Sequence, residues 1–367
     1  MGERLHLVTG FPGLLGAGLV ERLAAWPDER MVLLVQPDEA GQAREALRDR
    51  PGTEILEGDA THMHLGLSGA EWRSLSLRLT HAWHLASKSR PGADDRLFRS
   101  VKVEGTRSVI ELCGQAPRLE RLIHFSTAFV SGTRIGLVRE EELEAGQGFH
   151  DRYESSKYEA ERLVRRARGA LPVTVLRPSL IIGDSRTGEI DRFDGPSSLA
   201  LALAGAPESV PLPIPEDPQA PLNVVPIDFV LDAAVVMGRH PAAAGRTVHL
   251  VDPAPLPARQ VFELIAARLG RRLATVPIPL RVLATLRRLP LVGRLGGRTA
   301  DAFKYVDHLA SYDTRNLLEL LEGSGVRCPP ITDYLDRIIE VVQAHLARQR
   351  EAAEPQAGAP VDRPPRS

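Results

Sequence analysis

Three glycines at intervals of three, Gly10, Gly13 and Gly16, stand between an apolar run, Leu5-His6-Leu7-Val8-Thr9, and a segment from Gly13 to Trp26 with apolar residues at helical spacing. A strand that turns this sharply into a helix admits few folds. The first glycine permits the tight turn, the second lets a backbone approach a phosphate, and the third lets the helix pack closely on the strand. The helix then directs its N-terminal N–H groups and positive dipole end out of the turn. Glycine-rich turns also arise for structural reasons alone, and the spacing here is G-x-x-G-x-x-G rather than G-x-G-x-x-G. Placement at a strand–helix junction favours a pyrophosphate site formed by Gly10, Phe11, Pro12, Gly13, Leu14, Leu15 and Gly16. Pro12 removes one N–H that could otherwise face such a ligand.

The same alternation continues along the chain. Met31–Val35, Thr53–Leu56, His81–Leu85, Arg121–Phe125 and Val173–Leu176 read as buried strands. Between them, helical patterns cover Glu39–Arg48, Asp94–Cys113 and Tyr153–Arg168. Near-continuous apolar strands separated by helices predict an α/β fold with a doubly wound parallel sheet of the Rossmann type. After Ser179 the pattern changes. Prolines cluster between Pro207 and Pro226, Val248–Val251 reads as a later strand, and Ala258–Ala347 is mostly helical. Residues 1–180 are expected to form the sheet domain, with 224–252 returning to it. Residues 181–223 and 253–348 are expected to form a smaller domain, and 349–367, rich in proline, a disordered tail.

Composition closes off several classes. The 46 basic residues balance the 47 acidic ones, so the chain lacks the electrostatic footprint of a nucleic-acid binder. Two cysteines, Cys113 and Cys328, are too few for a disulfide scaffold or a thiolate metal site. Cys113 is expected on the core face of a helix. His62, His64, His81 and His84 form no convincing ligand set, so no metal is expected. No apolar stretch is long enough to span a bilayer, and the N-terminus reads as a strand rather than a secretory signal. These features suit a cytoplasmic protein. Lysine occurs only at positions 88, 102, 157 and 304, so a lysine at a meaningful spacing is informative.

One is at such a spacing. Tyr153 and Lys157 lie four residues apart, on one face of a helix. The ammonium favours the phenolate, which helps the phenol exchange a proton with a substrate oxygen near neutral pH. An accidental surface pair is the competing reading, but five tyrosines and four lysines give such a spacing by chance only about one time in twenty. Ser126-Thr127 ends the fifth strand, where an open parallel sheet has its ligand crevice. Thr127 is therefore a candidate oxyanion donor, although threonine is also an ordinary strand former. At the end of the second strand, where an acid selects NAD and an arginine NADP, the chain has Gln36, followed by Asp38 and, further on, Arg44. Asp59 ends the third strand and is placed either to contact an adenine or simply to hold a turn.

Together these pieces resemble the extended short-chain dehydrogenase/reductases. Thr9-Gly10-x-x-Gly13-x-x-Gly16, Gly58-Asp59, His84-Leu85-Ala86, Gly105-Thr106, Ser126-Thr127, Tyr153-x-x-x-Lys157 and Arg177-Pro178-Ser179 follow the family's order over about 180 residues. Further likeness is to the fatty acyl reductase (male sterility) and thioester reductase branch. It lies in His124–Gly132, Leu65-Gly66-Leu67-Ser68, Gly183-Asp184-Ser185-x-Thr187-Gly188 and Val225-Pro226-Ile227-Asp228. The resemblance implies a nicotinamide cofactor on the Rossmann domain, NADP(H) in preference to NAD(H), and a C-terminal substrate domain. It implies Thr127, Tyr153 and Lys157 as the catalytic set. Gln36, Asp59, Ala60, Ala86, Lys157 and Pro178 would join residues 10–16 around the cofactor. Two positions depart from the pattern. Lys102 stands where the family usually has asparagine, and Gln36 where NADP-using relatives carry arginine.

Family members reduce acyl thioesters of coenzyme A or a carrier protein to aldehydes or alcohols, and this is the leading expectation. An alcohol–ketone dehydrogenase acting on a lipid, steroid-like or polyketide substrate, a sugar-nucleotide epimerase or dehydratase, and a non-catalytic nucleotide sensor are the alternatives. Eight arginines and no acid lie between Arg268 and Arg298. This segment is either a solvated helix face or a contact for a carrier protein, coenzyme A phosphates or an anionic membrane. A homodimer is implied by resemblance alone.

Overall fold

The computed structural model describes residues 3–48, 50, 52–60, 62–85, 100–190, 204–205, 217, 219–274 and 308–353. Seven strands form one parallel sheet: β1 (Arg4–Thr9), β2 (Glu29–Val35), β3 (Thr53–Glu57), β4 (His81–His84), β5 (Arg121–Phe125), β7 (Val173–Pro178) and β10 (Thr247–Leu250). Their order is β10-β7-β5-β4-β1-β2-β3. The chain runs outward from β1 to β3, then crosses back to β4 and fills the other half. The reversal between β1 and β4 opens a crevice beyond the carboxyl ends of those strands, the usual ligand position in an open α/β sheet.

The apolar strands are explained by burial on both faces. In β2, Met31, Leu33 and Val35 enter one core, and Val32 and Leu34 enter the other. The first core also holds α1 (Leu14–Leu23), α6 (Ile227–Arg239) and α8 (Arg315–Leu321), while the second holds α3 (Gly69–Arg78) and α4 (Gly105–Gly114). Cys113 is buried in this second core, where loss of solvation pushes its thiol up to about 12. The short α2 (Ala40–Ala46) follows β2, and α5 (Arg152–Ala167) precedes β7. The start of α3 is fixed locally, by a capping box between Ser68 and Glu71.

Two small parallel ladders lie outside the strand pattern read from the sequence. β6 (Gly136–Val138) pairs with β11 (Ala310–Tyr312), and β8 (Leu180–Ile182) pairs with β9 (Val224–Pro226). Each strand has only three residues, too short for periodicity to register. A third core, from β8, β9, α7 (Ala258–Arg268) and α9 (Leu335–Ala353), includes Leu180, Val224, Phe262 and Ile338. Motif residues distant in sequence meet here. Ser185 donates to Asp228 through its backbone N–H at 2.8 Å and its hydroxyl at 2.6 Å, and Ser179 donates to Asn223 at 2.7 Å. One boundary requires correction. The helix α9 continues to Ala353, so residues 349–353 are helical rather than part of the expected disordered tail. Among the described residues, no helix is long and apolar enough to cross a membrane.

Candidate active site

The turn from β1 into α1 is built from backbone. Gly10 has φ 94°, a conformation glycine adopts without strain, and its carbonyl accepts from the Gly13 N–H at 3.0 Å. A Cβ on Gly16 would lie 2.7 Å from the Gly10 oxygen, and one on Gly13 would lie 2.9 Å from the same atom. No side chain caps α1. Its first N–H groups are thus left for a ligand at the positive end of the helix. Phe11 is buried in the core, so it contributes backbone to the turn; Pro12 and Leu15 are half-buried and Leu14 is exposed. The cradle excludes side chains and offers N–H donors, which fits a dinucleotide's pyrophosphate.

Gln36 follows β2 directly, half-buried, ahead of the turn Pro37–Glu39. Arg44, the nearest candidate for a phosphate contact, is exposed and paired with Glu57. Asp59 lies beyond β3, its backbone N–H on the Leu65 carbonyl at 2.8 Å and its carboxylate 3.5 Å from His62. The loop it opens is strained. His64 and Leu65 both have positive φ, 53° and 59°, and the complete burial of Leu65 holds them there. Ala60 packs against the start of α4, where a Cβ on Gly105 would come within 3.1 Å of its own Cβ. Ala86 lies outside the described residues.

The other half of the site is made from buried side chains. Asp151 caps α5 by accepting from the Glu154 N–H at 2.9 Å. One helix turn separates Tyr153 from Lys157, and another separates Lys157 from Glu161. Lys157 is buried and donates to the Phe125 carbonyl at 2.8 Å, which brings its ammonium to the end of β5. Burial pulls Lys157 down to about 8, against the opposing charge of Glu161. Thr127 is buried two residues beyond Phe125. Its hydroxyl donates to the Pro178 carbonyl at 3.4 Å, at the end of β7, and accepts from the Phe129 N–H at 3.3 Å. Thr127 and Lys157 are therefore brought to neighbouring strand ends, and the threonine hydroxyl also caps the short turn that follows. Tyr153 is half-buried, with the Lys102 ammonium nitrogen 4.2 Å from its ring centroid.

Sequence reasoning left several organising residues without a role. Arg177 and Glu161, both wholly buried, pair at 2.7 Å, and Ser126 donates to Glu161 at 2.6 Å. Burial would raise Glu161, but the charge and hydrogen bonds of Arg177, with help from Arg165 and Ser126, outweigh it and hold the carboxyl at about 2. His84 bonds the hydroxyl of Thr9 through Nδ1 at 2.9 Å and that of Thr106 through Nε2 at 3.0 Å, joining β1, β4 and α4 beneath the crevice. Burial first, then the charge of Lys157, lowers it to about 3 and keeps it neutral. The only signals were the motifs themselves, Arg177-Pro178-Ser179 and His84-Leu85. Among the described residues, no group of three or more His, Cys, Asp or Glu is placed to hold a metal. Arg268 pairs with Asp336, and positions 275–298 of the arginine-rich segment lie outside the described residues.

The male sterility protein family model matches residues 8–234, from the first strand to the middle of α6. The chain belongs to this family. Male sterility proteins fall in the fatty acyl-CoA and thioester reductase branch of the extended short-chain dehydrogenase/reductases, which bind NAD(P). One similar solved structure is the terminal R domain from the myxalamid PKS-NRPS biosynthetic pathway. It has a TM-score of 0.78 and 26% identity, covering 96% of this chain and 92% of that one. Glycine betaine reductase ATRR of Emericella nidulans is 26% identical over 279 residues, 70% of this chain and 22% of its own length. Fatty acyl-CoA reductase wat of Drosophila melanogaster is 27% identical over 207 residues, 49% of this chain and 40% of its own. The chain thus matches well under half the length of these curated relatives.

Proposed function

We propose that this male sterility family protein is an NAD(P)H-dependent reductase of acyl thioesters, with Thr127, Tyr153 and Lys157 at the reacting carbonyl. The observation that carries this reading is the Lys157 ammonium on the Phe125 carbonyl, one turn of α5 from a phenol and at the strand end that Thr127 follows by two residues. A bound nicotinamide dinucleotide supplies the hydride. The backbone N–H groups of residues 10–16, all but that of Pro12, would hold its pyrophosphate; Gln36, Asp59, Ala60 and Ala86, the last outside the described residues, would serve its adenosine half, and Pro178 and Lys157 its nicotinamide half. Thr127 turns its hydroxyl from the long Pro178 bond to the thioester oxygen, and Tyr153 donates a proton to that oxygen. The resulting hemithioacetal breaks its C–S bond, releasing aldehyde and thiol.

The names of the similar proteins, an R domain and a fatty acyl-CoA reductase, support an acyl chain carried on a carrier protein or on coenzyme A. Residues 1–180 with 224–252 form the cofactor domain in this reading, and 181–223 with 253–348 the substrate domain; β10 on the main sheet, and α7 and α9 in a core of their own away from it, support the division. The Arg268–Arg298 segment would meet the anionic carrier or a membrane surface, and the protein would act as a homodimer. NADP(H) is proposed over NAD(H) on family grounds, since Gln36 is neither the acid nor the arginine that decides the matter elsewhere. Separate titrations with NADPH and NADH, followed by cofactor oxidation with a panel of acyl-CoA and acyl-carrier thioesters, test the proposal. Tyr153→Phe is expected to lower turnover at least about 100-fold. Reduction of a ketone with no thioester reduced would transfer the site to an alcohol–ketone dehydrogenase.

A further inference from the structure

Lys102 occupies the turn Ser100–Glu104, packed between α4 and α5, and is only 2% exposed. Burying an ammonium group is costly, and this one is buried beside another, because Lys157 repels it. In a chain whose basic residues are almost all arginine, two of the four lysines converge on one helix turn. The feature they share is the Tyr153 phenol. Lys102 lies over its ring face at 4.2 Å, and Lys157 follows it by one turn. An ammonium on a ring face is attracted by the π-system, and more strongly once the phenol has lost its proton and carries a full negative charge.

We propose that Lys102 is a positioning residue for Tyr153, whose ammonium on the ring face stabilises the phenolate left after the tyrosine gives its proton to substrate. The inference rests on the reading of Tyr153 as the proton donor. The proton passes from the phenol oxygen to the substrate oxygen, and wherever Lys102 is protonated the charge left behind is balanced by two ammonium groups instead of one. Among the described residues, two charged groups act on Lys102. From α5 these are Lys157, which repels it, and Asp151, which attracts it; from α4, Thr106 offers only a hydroxyl, which donates to the Lys102 carbonyl at 2.6 Å. Burial first, then Lys157, brings the ammonium down to about 6, so its support is strongest on the acid side and fades as pH rises.

The test compares permanent charge with none at this position. Lys102→Arg keeps a cation on the ring, whereas Lys102→Met and Lys102→Gln remove it in two chemically different ways, so the result does not hang on one variant's folding. The whole 367-residue chain is titrated without substrate, following tyrosinate absorbance, and the Tyr153→Phe titration is subtracted to isolate this phenol. The midpoint in Lys102→Arg is expected to lie below that of the neutral variants by about one pH unit or more. Equal midpoints in folded Arg, Met and Gln variants overturn the proposal, because a purely structural lysine would alter stability and leave the phenol's ionisation unmoved. In turnover, the parent should slow as pH rises through the lysine's ionisation, a transition that the Arg and Met variants lack. The titration needs no substrate, so the two readings fail separately. A midpoint difference without thioester turnover rejects the proposed reaction alone, and thioester turnover with equal midpoints rejects the role of Lys102 alone.

Discussion

The two halves of the site use opposite materials. The β1–α1 turn binds with backbone and contains no titratable side chain between Gly10 and Gly16, whereas the α5 face depends on charged groups buried among strands. A backbone site is specified by what is missing, since any Cβ at Gly16 meets the Gly10 carbonyl. A buried charged site is specified by partners. Lys157 needs the Phe125 carbonyl, and Glu161 needs Arg165 from its own helix together with Arg177 and Ser126 from distant strand ends. The first kind of site tolerates little change in shape, and the second little change in charge.

Removing one partner of the buried pair should produce the largest effect. Arg177→Met leaves Glu161 charged and buried, and chemical denaturation should show a loss of about 3–5 kcal/mol. Changing pH strikes the same pair without mutation. Glu161 titrates at about 2 in the fold against 4.5 for the free group, so the unfolded chain binds the extra proton between these values. Its stabilisation is complete above pH 4.5 and is lost as pH falls toward 2. Thermal melting of the parent should show that loss, and a melt that is flat across this window would mean that the α5 face does not depend on its buried charge. Shape is tested by Gly16→Ala, which inserts one methyl against backbone. About 1–3 kcal/mol of stability should be lost, and dinucleotide affinity measured by titration should weaken with it. The smallest effect is expected where the device is local and outside both halves. Ser68→Ala removes the cap of α3 and should cost about 1 kcal/mol.

The parts legible in sequence were those whose physics is local. The strands of the main sheet and the helices α1 and α5 followed from periodicity, because burial on both faces makes parallel strands almost continuously apolar. Gly10, Gly13 and Gly16 could be read individually, since a turn's steric needs involve near neighbours. Tyr153 and Lys157 were legible because one helix turn fixes their relation. The strands β6, β8, β9 and β11 were not, having three residues each and partners far away. His84 shows the same limit. Its sequence context reads as a buried strand end, and only the fold sets Thr9 and Thr106 on its two ring nitrogens.

Sequence alone determined that this chain would wind a parallel sheet around a glycine turn and carry a phenol and an ammonium on one helix face, because those relations are set by backbone geometry over a few residues. Tertiary structure alone decided that Lys157 would reach the end of β5, that Glu161 would be held ionised by Arg177, and that Lys102 would lie over the Tyr153 ring. Charges and rings interact through space, and only packing brings together groups that the chain keeps 16 to more than 50 residues apart.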